Sequence, residues 1–584
     1  MRYRIILPVV AVMMSSVAVK ADVVSPGGRI VVSTDGGGIV VSATVDTRPV
    51  DVITIAGDVT DVIADPVVHT DSYTALTGKR RECSNSYSQA RYVMADGDTI
   101  TMRVYTDGVA WRAGSGVSVV DVSRVRHSWL QSWVDCYEEF YPRDRDTKAG
   151  ERYGYPALME YDGGVFGLLT ESGLDRTSAG SSIYATSGKG IYELKPDGPG
   201  TAGWATMIIG SLSDVVESTL VADNSAPCAL GDTSWISPGV ASWIYWAYNH
   251  GSNDYDIIKR YVDMAVELRL PYVLIDAEWD EMKDGKTVED AVEYAIGKGI
   301  KPMIWYNSSI GWINGAPGPK FRLNDPADRE REFAWCERIG VAGVKIDFFS
   351  GDDNRNISYM YDLMEDAARH KLLVNFHGAT LPRGWQRTYP NLVTTEAVYG
   401  AEWYNNVPTF TSKAAAHNAT LPFTRNVVGS MDYTPCAFSD SQHPHITTHA
   451  HELALTVLFE SGVQHLADRP ESLLSQPDEV KRFFSELPAS WDDTVLLAGY
   501  PGEYAVMGRR KGDTWYIAGI NGTDADMADV SLDFSRLGIS GADMRLYADG
   551  ATTGSWDISR PKSLPGSVAM KARGGFVLVA RGNN

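Results

Sequence analysis

Gly343-Val-Lys-Ile-Asp-Phe-Phe349 is a short apolar run that closes on a carboxylate, and Tyr272-Val-Leu-Ile-Asp-Ala-Glu-Trp279 repeats the pattern. Runs of this length, set between stretches of helical periodicity, read as strands buried on both faces of a parallel sheet. Working outward, the same reading places strands at 241–248, 271–279, 301–306, 343–349, 372–378, 392–398, 421–427 and 464–467. Between them apolar residues recur at helical spacing, as in Tyr255, Ile258, Val262, Ala265 and Leu268, or Met360, Leu363, Met364 and Ala367. Eight strands alternating with helices predict a (β/α)8 TIM barrel over 231–483.

The flanks follow a different rule. Before residue 223 the chain alternates apolar and polar residues between turns, as in Arg29-Ile-Val-Val-Ser33, Thr99-Ile-Thr-Met-Arg-Val-Tyr105 and Gly164-Val-Phe-Gly-Leu-Leu-Thr170. This predicts an N-terminal β-sandwich over 22–230, joined through a linker containing Pro227 and Pro238. Alternation returns after the barrel, at 503–508, 514–519, 529–534, 543–547 and 575–580, and predicts a C-terminal all-β domain over 484–584. A chain of 584 residues with 44% hydrophobic content has the material for several cores.

Bulk composition narrows the partners. With 74 acidic against 53 basic residues the formal charge is −21, which argues against a nucleic-acid surface or long-range capture of anions. Sixteen Trp and 29 Tyr are many, most of them expected in cores, and such an abundance also suits stacking on the apolar face of a sugar ring. Arg2 and Arg4, the apolar stretch 5–19 and Val19-Lys-Ala21 before Asp22 read as a signal peptide over 1–21, predicting a secreted or periplasmic protein. No later run is long enough for a membrane span. The five Cys, at 83, 136, 228, 336 and 436, have no metal-type spacing, and their odd number leaves at least one thiol free.

The strand ends carry an unusual density of polar groups. They are Asn249 and His250, Asp276 and Glu278, Asn307, Lys345 and Asp347, Asn375 and His377, Glu396 and Glu402, and Arg425 and Asn426. A buried carboxylate costs several kcal/mol unless a cation, a metal or hydroxyl groups answer it, roughly by the ordinary penalty for burying charge. Singly, Asp347 reads equally as a helix cap or a partner of Lys345, and Glu402 as a residue of a solvated loop. Together, two acids at the C-terminal mouth of a barrel point to glycoside hydrolysis.

These stretches, with Asp107-Gly-Val-Ala-Trp-Arg112, Leu168-Leu-Thr-Glu-Ser-Gly173, Pro382-Arg-Gly-Trp-Gln-Arg-Thr-Tyr-Pro-Asn391 and Thr395-Glu-Ala-Val-Tyr-Gly-Ala-Glu402, resemble glycoside hydrolase family 97. The likeness covers nearly the whole mature chain and implies the same order of sandwich, barrel and C-terminal β domain. Inverting members of that family place a base Glu after the histidine of the fifth strand, where this chain has His377-Gly378. Retaining members carry a nucleophilic Asp at the end of the fourth strand, which is Asp347 here. The resemblance therefore implies a retaining exo-α-galactosidase with Asp347 as nucleophile and Glu402 as acid/base. It further implies Ca²⁺ held by Glu171, Glu396 and Glu402, and a terminal sugar held by Asp276, Trp279, Lys345 and His377. A β-L-arabinopyranosidase or other α-glycosidase is the alternative within the family, since arabinopyranose has the same ring stereochemistry without the hydroxymethyl group. From another class, a non-catalytic carbohydrate-binding protein with an inactive barrel is opposed by the presence of both acids.

Overall fold

The computed structural model describes residues 22–45, 48–244, 251–404, 406–440, 443–539 and 542–582, so the expected leader at 1–21 and the pair Asn249 and His250 lie outside the described residues. At its centre is a parallel sheet of strands β1 (Gly239–Ile244), β2 (Tyr272–Ile275), β3 (Lys301–Asn307), β4 (Gly343–Asp347), β5 (Leu373–Phe376), β6 (Leu392–Thr395) and β7 (Val463–Leu466). They pair in the order β6-β5-β4-β3-β2-β1-β7. Helices α1 (Tyr255–Leu268), α2 (Val288–Gly297), α3 (Pro326–Ile339), α4 (Asn354–Arg369) and α5 (His449–Leu458) alternate with them.

Local chemistry accounts for the helix ends. The Asp254 carboxylate accepts from the amides of Asp256 and Ile257 at the start of α1, and its apolar stripe Ile258, Val262, Ala265 and Leu268 is buried. At α3, Asp325 caps the first turn, Pro326 occupies the first helical position, and Gly340 ends the helix with a left-handed φ of 90°.

The barrel is nearly closed rather than eight-stranded. The strand expected at 421–427 is absent, and Leu421–Phe423 and Arg425–Val428 form 3₁₀ turns instead. Pro422 has no amide proton to give to a ladder. The work of the missing strand falls to the buried guanidinium of Arg425, which donates to the carbonyls of Thr395, Glu396, Ala397, Gly429 and Ser430 at 2.9–3.0 Å. Beyond that, a single parallel bridge joins Thr395 to Met431. Burial lowers the guanidinium pKa to about 10, still well above neutrality.

In the N-terminal domain sixteen described strands, from Val23–Val24 to Trp204–Gly210, are hydrogen-bonded into one sheet with Ile30, Val41, Val104, Trp111, Leu168 and Ile208 in its core. The C-terminal domain pairs Asp493–Tyr500, Tyr504–Lys511, Thr514–Asn521, Gly575–Gly582, Ala542–Asp549 and Trp556–Ser559 in that order, beside a two-stranded sheet of Met527–Ser531 and Ser567–Met570. The N-terminal domain is bonded to the barrel mouth: Tyr137 and Trp133 donate to Asp352 at 2.6 and 3.2 Å, and Asn354 donates to the carbonyls of Arg176 and Ser178. All five cysteines are free. No described helix is long and apolar enough to cross a membrane.

Candidate active site

Asp347 is the last residue of β4, in register with Asn307 of β3. Two-residue periodicity puts Lys345 on the same side of the strand. The Lys345 ammonium stands 3.0 Å from Asp276 Oδ2 and 3.7 Å from Asp347 Oδ2. Asp276, at the end of β2, also accepts from Trp243 Nε1 at 2.8 Å. Asp347 is oriented by two further donors, Trp305 Nε1 on Oδ2 at 3.0 Å and the Phe348 amide on Oδ1 at 2.8 Å. Burial raises its pKa, and the positive charges of Lys345 and His377 oppose that rise.

Glu402 sits on the 3₁₀ turn Ala401–Trp403 that follows β6. Burial, and then the charge of Glu396, push its pKa up to about 8 against the pull of Lys345 and His377. It is therefore largely protonated at neutral pH in the metal-free protein, whereas at Asp347 the charges of Lys345 and His377 work against burial to favour the ionised form. Beside Glu402 lies Glu396, which accepts from the Gly378 amide at 2.7 Å and stands 3.3 Å from His377 Nδ1. The other ring nitrogen of His377 is 2.7 Å from Asp432 Oδ2, and that oxygen also meets His465 Nδ1 and Asn375 Nδ2 at 2.7 Å. Although burial pulls its pKa down, Glu396 and Asp432 hold the His377 imidazole well above its ordinary value, so it is an imidazolium between two carboxylates. Asp432 in turn is held far below the carboxylate range by His465 and His377, despite its burial.

Ligand atoms of His377, Glu396 and Glu402 lie within 4.8 Å of one another. A further carboxyl, from the N-terminal domain, feels the charge of this cluster. Glu138 accepts from Trp403 Nε1 at 2.8 Å, and burial followed by the charges of Glu396 and Glu402 raises its pKa well above the normal carboxylate value. Carboxyls at this mouth outnumber the cations, which is the donor set of a hard-cation site.

Two residues expected at the mouth lie elsewhere. Glu171 is not brought to Glu396 and Glu402: its Oε2 accepts from Arg383 Nε at 2.8 Å and the Ser181 amide at 2.9 Å, in a fully buried ion pair between domains. Trp279 is turned outward, donating to the Trp305 carbonyl at 2.6 Å and stacking on Trp335 of α3 at 5.7 Å. The indoles that reach the carboxylates are Trp243 and Trp305 instead. Sequence reading missed these, together with Glu138 and Asp432. Trp243 and Trp305 sit on recognised strands and were within reach, whereas Glu138 lies in the loop Asp135-Cys-Tyr-Glu-Glu-Phe-Tyr141, whose local pattern carries no signal.

Comparison with known proteins matches three segments of the chain. Residues 23–227 match the glycosyl-hydrolase 97 N-terminal domain, 239–398 match glycoside hydrolase 97, and 490–580 match the glycosyl-hydrolase 97 C-terminal, oligomerisation domain. A probable retaining alpha-galactosidase of Streptomyces bingchenggensis is 33% identical over 547 residues, covering 87% of this chain and 82% of the relative. A retaining alpha-galactosidase of Bacteroides thetaiotaomicron is 31% identical over 386 residues, covering 62% of this chain and 55% of the relative. Among solved structures, a beta-arabinopyranosidase superposes with a TM-score of 0.84 at 26% identity, covering 96% of this chain and all of the other. A family 97 enzyme from Pseudoalteromonas in complex with acarbose has a TM-score of 0.80 at 20% identity, over 97% of this chain and all of the other, and supports the fold alone.

Proposed function

The chain belongs to glycoside hydrolase family 97, and on that premise we propose that it is an exported retaining exo-α-galactosidase acting by double displacement. The observation that carries the retaining mechanism is the space beside Gly378. A side-chain carbon built there would lie 3.0 Å from Asp347 Oδ1 and 2.9 Å from the Phe348 amide, on a backbone with φ of +47°. A base at position 378 and the carboxylate of Asp347 thus compete for one volume, and this chain has given it to Asp347.

In the first step Asp347, aimed by Trp305 and the Phe348 amide, attacks the anomeric carbon. Glu402, protonated at rest, delivers its proton to the departing glycosidic oxygen. The glycosyl ester on Asp347 is then opened by water, whose proton passes to the Glu402 carboxylate, and two inversions give net retention. Lys345 and Asp276 are placed to hold sugar hydroxyls. His377 serves differently from the sugar contact expected of it, because both its nitrogens are engaged by Glu396 and Asp432.

Ca²⁺ fits the carboxylates present. Glu396 and Glu402 would hold it, with the carboxyl of Glu138 adding negative charge nearby, and the raised pKa values of Glu402 and Glu138 mark a cluster short of positive charge. When bound, such an ion offsets the repulsion among these acids and helps to orient them.

Galactose as the terminal sugar is supported by the two relatives named retaining alpha-galactosidase. The arabinopyranosidase neighbour favours β-L-arabinopyranoside as the second reading. Export rests on the N-terminal segment 1–21. The test is hydrolysis of nitrophenyl α-galactoside, α-glucoside and β-L-arabinopyranoside, with proton NMR of the first-formed anomer. α-Galactose appearing first is the expected result, and the β-anomer or preferred release of arabinose would overturn it.

A further inference from the structure

Among the described residues three aromatic side chains are exposed: Trp312 at 52%, Phe321 at 59% and Trp403 at 37%. All three stand on loops that follow β3 or β6, at the end of the barrel where Asp347 and Glu402 lie. A chain that buries most of its aromatic rings has placed these exposed ones at a single end of the barrel, the end that carries the two acids, which is how a binding surface differs from scattered surface apolarity.

Each side of the opening is a continuous aromatic wall. On the nucleophile's side Trp305, whose indole donates to Asp347, meets Phe348 edge-on at 5.7 Å, and Phe348 meets Trp312 edge-on at 4.9 Å. The Trp312 ring is fixed by a 2.8 Å bond from its Nε1 to the Asn314 carbonyl. Phe348 and Phe321 both hold left-handed backbone, with φ of 65° and 59°. That conformation is costly for bulky residues and persists only where the surrounding structure holds it. On the acid's side Trp403 follows Glu402 directly, is bonded through its indole to Glu138, and meets Tyr399 edge-on at 5.8 Å. Tyr399 in turn packs on Phe140 and Phe410. Rigid, flat and partly exposed rings are the surfaces on which pyranose rings stack.

We propose that the mouth contains a leaving-group subsite for a sugar ring, with Trp403 as its nearer platform and Trp312 as a second, so that these two rings set the preference for a sugar over a small alcohol as the group released. The leaving oxygen takes its proton from Glu402, so the departing unit lies on the side where Trp403 stands. This rests on the assignment of Asp347 and Glu402 above and adds to it the chemistry of the group released.

The test compares two substrates that both require the acid but differ in what leaves: melibiose, which releases glucose, and methyl α-galactoside, which releases methanol. For Trp403→Ala the ratio of kcat/KM on melibiose to that on methyl galactoside should fall about tenfold, mostly through KM, and Trp403→Phe should recover most of it. Trp312→Ala should lower the same ratio several-fold. An equal loss on both substrates would show that Trp403 merely positions Glu402 through Glu138, and would overturn the subsite, as would an unchanged ratio. Wild-type protein that cleaves neither substrate would overturn the galactosidase reading and this proposal with it, whereas normal wild-type cleavage with an unaltered mutant ratio would overturn the subsite alone.

Discussion

The ammonium of Lys345 lies closer to Asp276, at 3.0 Å, than to Asp347, at 3.7 Å. One buried cation is therefore shared unequally: it is bonded to the acid of β2 and exerts only its field on the acid of β4. A carboxylate that must form a covalent bond benefits from this arrangement, because the field of Lys345 favours its ionised form without neutralising its charge in a tight pair.

Removing that field has a signed consequence. Lys345 lowers the Asp347 pKa against the effect of burial, so Lys345→Met should raise it. The acid limb of the kcat/KM profile should then move to higher pH, and activity at pH 7 should fall by about two orders of magnitude. A pH profile whose acid limb stays in place while activity falls would assign Lys345 to sugar binding alone.

Asp347→Gly should reduce turnover by several orders of magnitude, roughly the loss expected when a covalent route disappears. Azide should restore part of it, since the volume shared with Gly378 is then open to a small anion. The product should be the β-galactosyl azide, identified by NMR, and absence of any azide product would count against the nucleophile.

Glu402 is held protonated up to about pH 8 in the protein, compared with 4.5 for a free carboxyl. A bound cation favours the ionised form, so the alkaline limb along which activity falls as this proton is lost should move to lower pH as Ca²⁺ is added. Stability follows the same sign: between these values the folded chain keeps a proton that the unfolded chain releases, so metal-free protein should lose stability as pH rises across this window. Glu402→Gln should abolish hydrolysis of methyl galactoside far more than the first step on dinitrophenyl galactoside, which needs no acid. Equal losses on the two would transfer the acid role away from Glu402.

The two N-terminal-domain glutamates separate metal binding from fold stability. Glu138→Gln should weaken Ca²⁺ retention and remove the rise in unfolding temperature that added Ca²⁺ produces by mass action. Glu171→Gln should leave the bound metal, measured by elemental analysis, unchanged. It should instead cost on the order of 3 kcal/mol in denaturant unfolding, because it deprives the buried Arg383 of a partner.

Much of the site was legible because strand ends are local facts. A buried run of known length terminates where its last inward residue meets solvent, so Asp276, Lys345, Asp347 and His377 could be placed at the mouth from their own segments. The missing strand at 421–427 could not, since its residues have strand-like polarity and only the reach of Arg425 to the carbonyls of β6 shows what replaced it. Four segments of alternation likewise marked strands of the six-stranded C-terminal sheet and a fifth, 529–534, overlaps a strand of the two-stranded sheet beside it, but alternation gave no order in which the strands pair.

The sequence by itself determined the three-part architecture, the two acids at the mouth, and the exchange of a base for glycine at position 378. The first two are encoded within a few consecutive residues, where periodicity and side-chain chemistry suffice, and the third is implied by the resemblance of His377-Gly378 and its neighbours to family 97. Only the tertiary structure decided that Glu138 joins the acids of the mouth while Glu171 is taken by Arg383, that Trp305 and not Trp279 reaches Asp347, and that His377 is enclosed between Glu396 and Asp432. Those choices depend on which partner is near after burial, and the energy of a buried charge is set by groups far away in sequence that share its low-dielectric surroundings.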